Sequence, residues 1–340
     1  MSFVPLRLAG DREELPTITI GFVCPACHAQ LRSVPAAYHC TRCPQEYPIV
    51  CGIPDFRLLA DPYISIEDDR RKGERLFDEA QRRTFESLVH YYYSITPEDP
   101  PDLAARWAAR AAHEVEIAAS VLRRAPPSRS ALLDIGCSTG ALLIAAKESH
   151  APLVGVDIAF RWLVVGQHRL RENGTEAMLV CANAEHLPFD AASFHLITAT
   201  DVIEHVADLA AAVREAARVA APGARLIATA NNRYAPMPEP NVHIWGVGYL
   251  PRSWQPRYVA LRRRDLHPYR IRLRSPRELK RMFRGGGWSD VQIDVSELVA
   301  PHAARGIKRV LRFYNRLALA PVIQSVLKWT APRLRIRAVR

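Results

Sequence analysis

Four cysteines near the start of the chain have the spacing of a metal site. They form two Cys-x-x-Cys pairs, Cys24 with Cys27 and Cys40 with Cys43, and twelve residues separate the pairs. Each pair places two thiolates on one tight turn, and two pairs complete a tetrahedral set of sulfur ligands. Such a set leaves no open coordination position for catalysis. The sequence therefore predicts a structural Zn²⁺ that supplies folding energy to a region with little core of its own.

The residues after the cysteine pairs extend this pattern. The segment 46–56 contains Tyr-Pro-Ile and Gly-Ile-Pro, and Cys51 within it is interpreted as a spare thiol. His28 is an alternative metal ligand. Together the pairs and this segment resemble, over about 35 residues, the zinc-ribbon activator subunit of tRNA and release-factor methyltransferases. The resemblance implies a module that stabilises a methyltransferase without performing chemistry, here fused to it in one chain.

A second group of polar residues is expected at the end of a buried strand. The run 131–140 indicates a strand, a glycine turn and a helix start, where Gly136 and Gly140 allow a ligand to approach the backbone. The third glycine of a dinucleotide fingerprint is missing, and Asp134 would repel a pyrophosphate, so the pattern disfavours NAD. A carboxylate at Asp134 suits a ligand that carries an ammonium group and a sulfonium charge.

Polar residues also follow the next strands. Asp157 ends the strand 153–157, lies 23 residues after Asp134, and can accept hydrogen bonds from both hydroxyls of a ribose. Asn183 follows the strand 178–181, and its side-chain oxygen can accept from an adenine amino group. Short aliphatic runs alternate with alanine-rich helical stretches over 130–230, which predicts a parallel sheet.

Together these motifs resemble the class I S-adenosylmethionine (SAM)-dependent methyltransferases, especially the quinone-biosynthesis branch, over about residues 130–295. The resemblance implies an α/β fold with a Rossmann-like seven-stranded sheet, to which this chain adds a small N-terminal zinc ribbon and a C-terminal helical insertion. It also implies SAM as the cofactor. The residues expected around SAM are Asp134, Gly136, Cys137, Gly140, Asp157, Ile158, Asn183, Ala184, Glu185 and Thr200.

Three positions depart from the family pattern. Ser138 replaces a usual glycine, Asn183 stands where aspartate is usual, and His195 stands where aspartate is common. The amide oxygen of Asn183 can still accept a hydrogen bond, so we expect SAM binding to persist.

The methyl acceptor has no motif of its own. For a hydroxyl acceptor the protein must align the acceptor and remove its proton, and histidine is the usual base. His205, after the fourth strand, and His243, in the segment 231–275, are the candidates, with His267 a further one. A structural role at a helix start is the alternative for His205. No Asp/Asn-Pro-Pro-Tyr/Phe signature follows the fourth strand, which favours O-methylation.

The basic charge lies in the C-terminal quarter. Residues 251–340 carry 22 Lys/Arg against 5 Asp/Glu, whereas residues 1–250 carry 24 against 30. At helical spacing, the cations Arg305, Lys308, Arg309, Arg312 and Arg316 lie opposite the apolar side chains Ile307, Val310, Leu311, Tyr314 and Leu317. Such helices can lie on an anionic membrane, contact RNA phosphates, or pack their apolar stripe on the core with the arginines in water.

These patterns divide the chain into a zinc-ribbon domain (1–60), a helical linker or lid (61–127) and a methyltransferase domain (128–340). The last contains a substrate cap (231–275) and a basic helical insertion (300–330). We expect O-methylation of a small molecule, a sugar, or a lipid-linked glycan or natural-product precursor. An rRNA or tRNA base methyltransferase is the alternative, and a non-catalytic SAM-binding scaffold is a further one.

Composition bears on location. Hydrophobic residues make up 49% of the chain and charged residues 24%, which excludes a disordered or fibrous protein. No apolar run reaches the roughly 18 residues of a membrane span, and the start of the sequence lacks the apolar core of a secretory signal. Seven cysteines, four of them in Cys-x-x-Cys pairs, suit a reducing compartment. We expect a cytoplasmic protein, with peripheral attachment to the inner face of the membrane as an option.

Overall fold

A computed structural model describes residues 20–123, 125, 129–299, 304–318 and 320–340. The following parts of the sequence-based division lie outside these residues: residues 1–19 of the zinc-ribbon domain, residue 124 of the linker, the boundary at 126–128, and residues 300–303 and 319 of the basic insertion.

The N-terminal domain, residues 20–57, is built on a small antiparallel sheet. Its strands are β1 (Leu31–Val34), β2 (Ala37–Cys40), β3 (Glu46–Val50) and β4 (Ile53–Pro54), paired in that order. Aromatic rings fill its core: Phe56 lies 5.0 Å from both Phe22 and Tyr47, measured between ring centroids. Tyr38 lies 5.4 Å from Phe56. These rings replace the aliphatic core that so short a segment lacks.

Four helices follow: α1 (Ile66–Ala80), α2 (Phe85–Ser94), α3 (Pro101–Ala111) and α4 (Glu114–Leu122). Ser65 and Thr84 begin α1 and α2, because their hydroxyls accept hydrogen bonds from backbone N–H groups of the first turns. The buried face of α1 contains Gly73 and Leu76.

The main sheet has seven strands: β5 (Leu132–Ile135), β6 (Leu153–Asp157), β7 (Met178–Cys181), β8 (Phe194–Thr200), β9 (Ala220–Asn231), β10 (Ser289–Val295) and β11 (Arg333–Val339). The order across the sheet is β10-β11-β9-β8-β5-β6-β7. Strands β5 to β9 are parallel, and β11 runs antiparallel to both β9 and β10. This arrangement confirms the predicted seven-stranded α/β methyltransferase fold.

The remaining helices are α5 (Ala141–Ala146), α6 (Phe160–Glu172), α7 (Leu209–Val219), α8 (Gln255–Arg262), α9 (Pro276–Gly285), α10 (Arg305–Leu317) and α11 (Pro321–Leu327). Helices α10 and α11 lie between β10 and β11, as the sequence indicated for the basic insertion. Within the described residues, no helix combines the length and apolar character needed to cross a membrane.

Strand β9 begins with an irregular segment, in which Pro222 and Gly223 lie. Gly223 has a φ of +77°, and the pairing of β8 with β9 shifts register between Phe194 and Leu196. The pair therefore forms an irregularity at the start of β9. Gly223 permits it, because glycine adopts a positive φ without strain.

The N-terminal domain packs against the edge of the main sheet at β7. Asp55 pairs with Cys181 in parallel fashion, and the backbone N–H of Phe56 donates to the carbonyl of Cys181 at 2.7 Å. The N–H of Val23 donates to the carbonyl of Pro188 at 3.0 Å. The aromatic core of this domain belongs to the same buried cluster as the inner side chains of the main sheet.

Candidate functional site

The four predicted cysteine ligands come together at one end of the N-terminal sheet. The sulfur atoms of Cys24, Cys27, Cys40 and Cys43 lie within 4.8 Å of one another. The Sγ–Sγ distances are 3.6 Å for Cys24 and Cys43 and 3.5 Å for Cys27 and Cys40. Zn–S bonds of about 2.3 Å at tetrahedral angles require sulfur separations of about 3.8 Å, so the four thiols fit Zn²⁺. The imidazole of His28 instead lies 4.0 Å from Glu215.

The glycine loop after β5 has the backbone conformation that its residues require. Gly136 and Gly140 have φ values of +72° and +73°. A methyl group on Gly136 would come within 2.0 Å of Val202, so the loop and the segment after β8 are in direct contact. Ser138 has a φ of +45°, a conformation that the family's usual glycine adopts without strain. Cys137 is buried beneath the loop.

Asp157 is held in place by the glycine loop. One of its carboxylate oxygens accepts from the backbone N–H of Ser138 at 2.8 Å, and the other accepts from that of Ala159 at 2.8 Å. Burial raises the pKa of Asp157, and these two hydrogen bonds offset only part of the rise. Each oxygen keeps a lone pair, which suits the two hydroxyls of a ribose. The neighbouring carbonyl of Ile158 accepts from the guanidinium of Arg57 at 3.1 Å.

Asp134 lies at the other side of the loop. It is buried, and its carboxylate accepts from the hydroxyl of Thr198 at 2.7 Å. Burial raises the pKa of Asp134 to about 7, and the charge of Asp157 adds to this rise, while the Thr198 hydrogen bond opposes it. A bound cationic group would favour the ionised form. The geometry therefore suits the ammonium and sulfonium charges expected of SAM.

Asn183 contacts a segment that the sequence analysis did not connect with it. Its side-chain oxygen accepts from the backbone N–H groups of Leu58 and Leu59 at 2.9 and 3.1 Å. Its amide nitrogen donates to the carbonyl of Leu59 at 3.2 Å. The residues after it, Ala184 and Glu185, are half-buried. The bonds from Leu58 and Leu59 use both lone pairs of the side-chain oxygen, so the predicted hydrogen bond from an adenine amino group would have to replace one of them. Residues 58–59 lie beside the predicted adenine side of the cofactor site.

A buried ionic network also escaped the sequence analysis. The carboxylate of Asp69 in α1 accepts from the N–H of Phe160 at 2.8 Å and from the guanidiniums of Arg161 and Arg57 at 2.9 and 2.6 Å. Asp69 thereby caps α6, the helix that follows Asp157. Sequence periodicity gives no signal for it, because periodicity cannot pair charges between distant elements.

Salt bridges connect the segment after β8, residues 201–206, to two other parts of the fold. The carboxylate of Asp201 pairs with Arg110 of α3 at 3.0 Å and with Arg333 of β11 at 2.8 Å. Burial tends to raise the pKa of Asp201, but the two guanidiniums outweigh burial and hold the pKa below its ordinary value. The segment is thus tied both to the helices that precede the sheet and to its last strand.

Glu204 is a buried carboxyl group in the same segment. One oxygen accepts from the side chain of Asn231 at 2.6 Å. In the part of the chain that the structure describes, its Oε2 atom is buried without a hydrogen-bond partner, as are the hydroxyls of Thr200 and Tyr269. Burial, with the charge of Asp201, raises the pKa of Glu204 to about 8. Glu204 is therefore protonated at neutral pH and able to donate a hydrogen bond. The sequence analysis did not identify it.

Of the three histidine candidates, His205 follows β8, and His243 and His267 are exposed in the cap. His205 is next to Glu204 and is exposed, yet desolvation lowers its pKa while the charges of Asp201 and Asp61 oppose this effect. His243 is exposed in the cap, with a φ of +55°. The role of general base remains a prediction for both His205 and His243.

The cap is fixed to the segment after β8. The N–H of Arg272 donates to the carbonyl of Glu204 at 2.8 Å, and the guanidinium of Arg274 donates to the carbonyl of Ile203 at 3.2 Å. The cap also has a small apolar core of its own, made of Val242, Ile244, Val247, Val259, Tyr269, Ile271 and Leu273. It is thus a packed element that is held against the segment after β8.

Comparisons with known proteins agree with this geometry. Residues 133–228 match a protein family described as "Methyltransferase domain". A demethylmenaquinone methyltransferase from Roseiflexus sp. (strain RS-1) is 33% identical over 204 residues, which cover 56% of this chain and 82% of the relative. The chain belongs to the class I SAM-dependent methyltransferases. Membership makes this methyltransferase an enzyme and supports SAM as its cofactor; Zn²⁺ rests on the cysteine cluster.

Other relatives are more distant. A ubiquinone biosynthesis O-methyltransferase from Idiomarina loihiensis is 30% identical to this methyltransferase over 168 residues, covering 48% of the chain and 63% of the relative. A solved SAM-dependent methyltransferase from Thermotoga maritima, described as a possible histamine N-methyltransferase, is 17% identical. That alignment covers 69% of this chain and 93% of the other, with a TM-score of 0.45.

Proposed function

We propose that this enzyme methylates a hydroxyl oxygen of a small acceptor, such as a sugar, a lipid-linked glycan precursor or a natural-product precursor. The observation that carries the proposal is a set of buried side-chain polar atoms on β8, on the segment after it and in the cap, which lack hydrogen-bond partners within the described part of the chain. The described structure gives no partner to Oε2 of Glu204 or to the hydroxyls of Thr200 and Tyr269. Buried polar atoms are normally paired, so a hydroxyl-rich acceptor would satisfy them.

In this mechanism the protein supplies alignment and proton transfer. SAM, when bound, supplies a methyl group on a sulfonium that is ready for nucleophilic attack. Asp134 and Asp157 orient its charged end and its ribose. Protonated Glu204 donates a hydrogen bond from Oε2 and fixes the acceptor. A ring nitrogen of His205 accepts the hydroxyl proton, because desolvation lowers the pKa of His205 and keeps the imidazole neutral.

The Idiomarina relative supports oxygen as the methylated atom, since its name describes an O-methyltransferase. The basic C-terminal quarter instead favours an RNA base as acceptor, because 22 Lys/Arg oppose 5 Asp/Glu there. The labelling experiment described next distinguishes these two classes of acceptor.

The test uses the full chain, SAM labelled on its methyl carbon, and a lysate of the host. Products are divided into nucleic-acid, organic-soluble and small aqueous fractions, and the carbon NMR shift of the labelled methyl group identifies the atom that carries it. We expect a methoxy signal outside the nucleic-acid fraction. Label in nucleic acid, or on nitrogen or carbon, would overturn the proposal. Glu204→Gln should keep SAM binding and lose turnover with the acceptor found.

A further inference from the structure

Helix α10 exposes a large apolar strip. None of its residues, all of which the structure describes, is buried. The exposed fractions of Ile307, Val310 and Phe313 are 55%, 67% and 64%. Val322 and Val326 of α11 are exposed as well, one helical turn apart. Of the alternatives for the predicted stripe, packing on the core does not hold for Ile307 and Val310. We call Ile307, Val310 and Phe313, three exposed apolar residues of α10, the apolar strip.

The orientation of α10 is fixed by contacts on its other side. The side chain of Asn315 donates to and accepts from the backbone of Leu298, both at 3.0 Å. Tyr314 and Ala318 pack on a small cluster with Val295. These contacts hold one face of the helix against the protein and direct the apolar strip outward. The exposure of the strip is thus a result of packing, not of a helix without neighbours.

A band of cations lies beside the apolar strip. The exposed cations of α10 are Arg305, Lys308, Arg309, Arg312 and Arg316. At 100° per residue they occupy one side of the helix, and Val310, Phe313 and Leu317 occupy the adjacent side. The sequence from 298 to 340 contains no aspartate or glutamate. The exposed surface of α10 therefore joins an apolar strip to an uncompensated positive band.

We propose that α10 and α11 form a docking surface for an anionic lipid bilayer. The apolar strip would enter the boundary between headgroups and acyl chains, and the cations would lie at the level of the lipid phosphates. A helix with this division of side chains gains binding free energy from both contacts. It lies in the bilayer interface and does not span the bilayer.

Charge complementarity favours lipid over the other occupants of this surface. A second copy of the chain would bring two helices with five cations each into contact, and neither helix carries an acidic residue. RNA phosphates would pair with the cations but would leave the apolar strip in water. An anionic bilayer provides an apolar layer for the apolar strip and lipid phosphates for the cations.

The proposal does not depend on the identity of the methyl acceptor, because binding is measured without turnover. The first test is co-sedimentation of the full chain with vesicles of phosphatidylcholine alone and of phosphatidylcholine with phosphatidylglycerol. We expect binding to the second kind only, weakened by high salt because surface charges are screened. Val310→Ser with Phe313→Ser should reduce binding at least about tenfold, and so should Arg309→Gln with Arg312→Gln.

Matched controls use exposed residues on other elements. Leu261→Ser on α8 removes an exposed apolar side chain, and Arg82→Gln with Arg171→Gln removes two exposed cations. Both controls should bind vesicles as the wild type does. Circular dichroism and SAM binding check that every variant is folded, which we expect because the replaced side chains are exposed.

Three results would overturn the proposal. One is unchanged vesicle binding by the Val310→Ser/Phe313→Ser variant. Another is salt-sensitive binding of bulk RNA by a wild-type chain that ignores anionic vesicles. The third is self-association in sedimentation velocity that this variant abolishes, which would assign the apolar strip to a second copy. Retained methyl transfer by a variant that no longer binds vesicles would leave the proposed O-methylation intact, so the two proposals fail independently.

Discussion

The side-chain oxygen of Asn183 accepts a hydrogen bond from the backbone N–H of Leu58 at 2.9 Å, across 125 positions of the chain. This contact places the end of the N-terminal domain against the predicted adenine side of the cofactor site. In the same region the N–H of Phe56 donates to the carbonyl of Cys181 on β7. The N-terminal domain and the methyltransferase sheet therefore contact each other beside the predicted cofactor site.

Replacement of Asn183 should weaken both stability and SAM binding. Asn183→Ala leaves the N–H groups of Leu58 and Leu59 without their acceptor, which should lower the free energy of unfolding by about 1–3 kcal/mol. Calorimetric titration should show weaker SAM binding, because segment 58–59 is released. Asn183→Asp keeps an acceptor for both N–H groups and should fall between the alanine variant and the wild type. Unchanged SAM affinity in Asn183→Ala would show that these contacts do not affect the cofactor site.

Removal of the metal should lower the affinity of the cofactor site for SAM. Chelation of Zn²⁺, or Cys40→Ser, should unfold the N-terminal domain and break its contacts with β7. The melting temperature and the SAM affinity should therefore fall together. Elemental analysis gives the metal content and fluorescence titration gives the affinity. Cys51→Ser is the matched control, since Cys51 lies outside the four-cysteine cluster. A chelated protein with normal SAM affinity would show that the two sites are independent.

SAM binding should tighten as the pH rises through about 7. The pKa of Asp134 is about 7 in the free protein, and a cationic ligand prefers the ionised carboxylate. The ionised fraction rises about tenfold between pH 6 and 8, so the apparent Kd should fall by about the same factor. Asp134→Asn should bind weakly and without this pH dependence. A flat wild-type profile would mean that Asp134 is already ionised or does not face the cation.

Glu204 should make the fold less stable at alkaline pH. Its pKa of about 8 in the folded protein lies above the ordinary value of 4.5, so the folded state holds a proton that the unfolded state has released. This contribution to stability is present in full below pH 4.5 and is lost as the pH rises through about 8. Glu204→Gln should flatten the dependence of the melting temperature over that range. Parallel profiles for variant and wild type would be inconsistent with a buried protonated acid.

Asp69 should be among the most sensitive positions outside the site. Asp69→Ala leaves the buried guanidinium of Arg57 without one of its two carboxylates and removes the cap of α6. We expect a loss of about 3–5 kcal/mol in the free energy of unfolding, measured with urea. Asp68→Asn is the adjacent control, because Asp68 pairs with Arg71 at the exposed surface and should change stability little. Equal effects at both positions would rule out a special role for Asp69.

Much of the site follows from short stretches of sequence. The cysteine spacing, the glycine loop and the acids Asp134 and Asp157 can be predicted because each pattern is local. Parallel strands then bring their carboxyl ends to one edge of the sheet. The seven-stranded sheet follows from the same family pattern.

Tertiary structure decided the contacts between distant segments. Asn183 meets Leu58, Asp69 caps α6, and Glu204 is buried beside Asn231, and none of these pairs has a local signal. The amphipathic pattern of α10 is compatible with a core and with a membrane surface alike, and only the packing of Asn315 on Leu298 determines which face points outward. Sequence periodicity specifies which residues share a face, whereas the partner of that face depends on free energies of packing and desolvation that arise only in the folded chain.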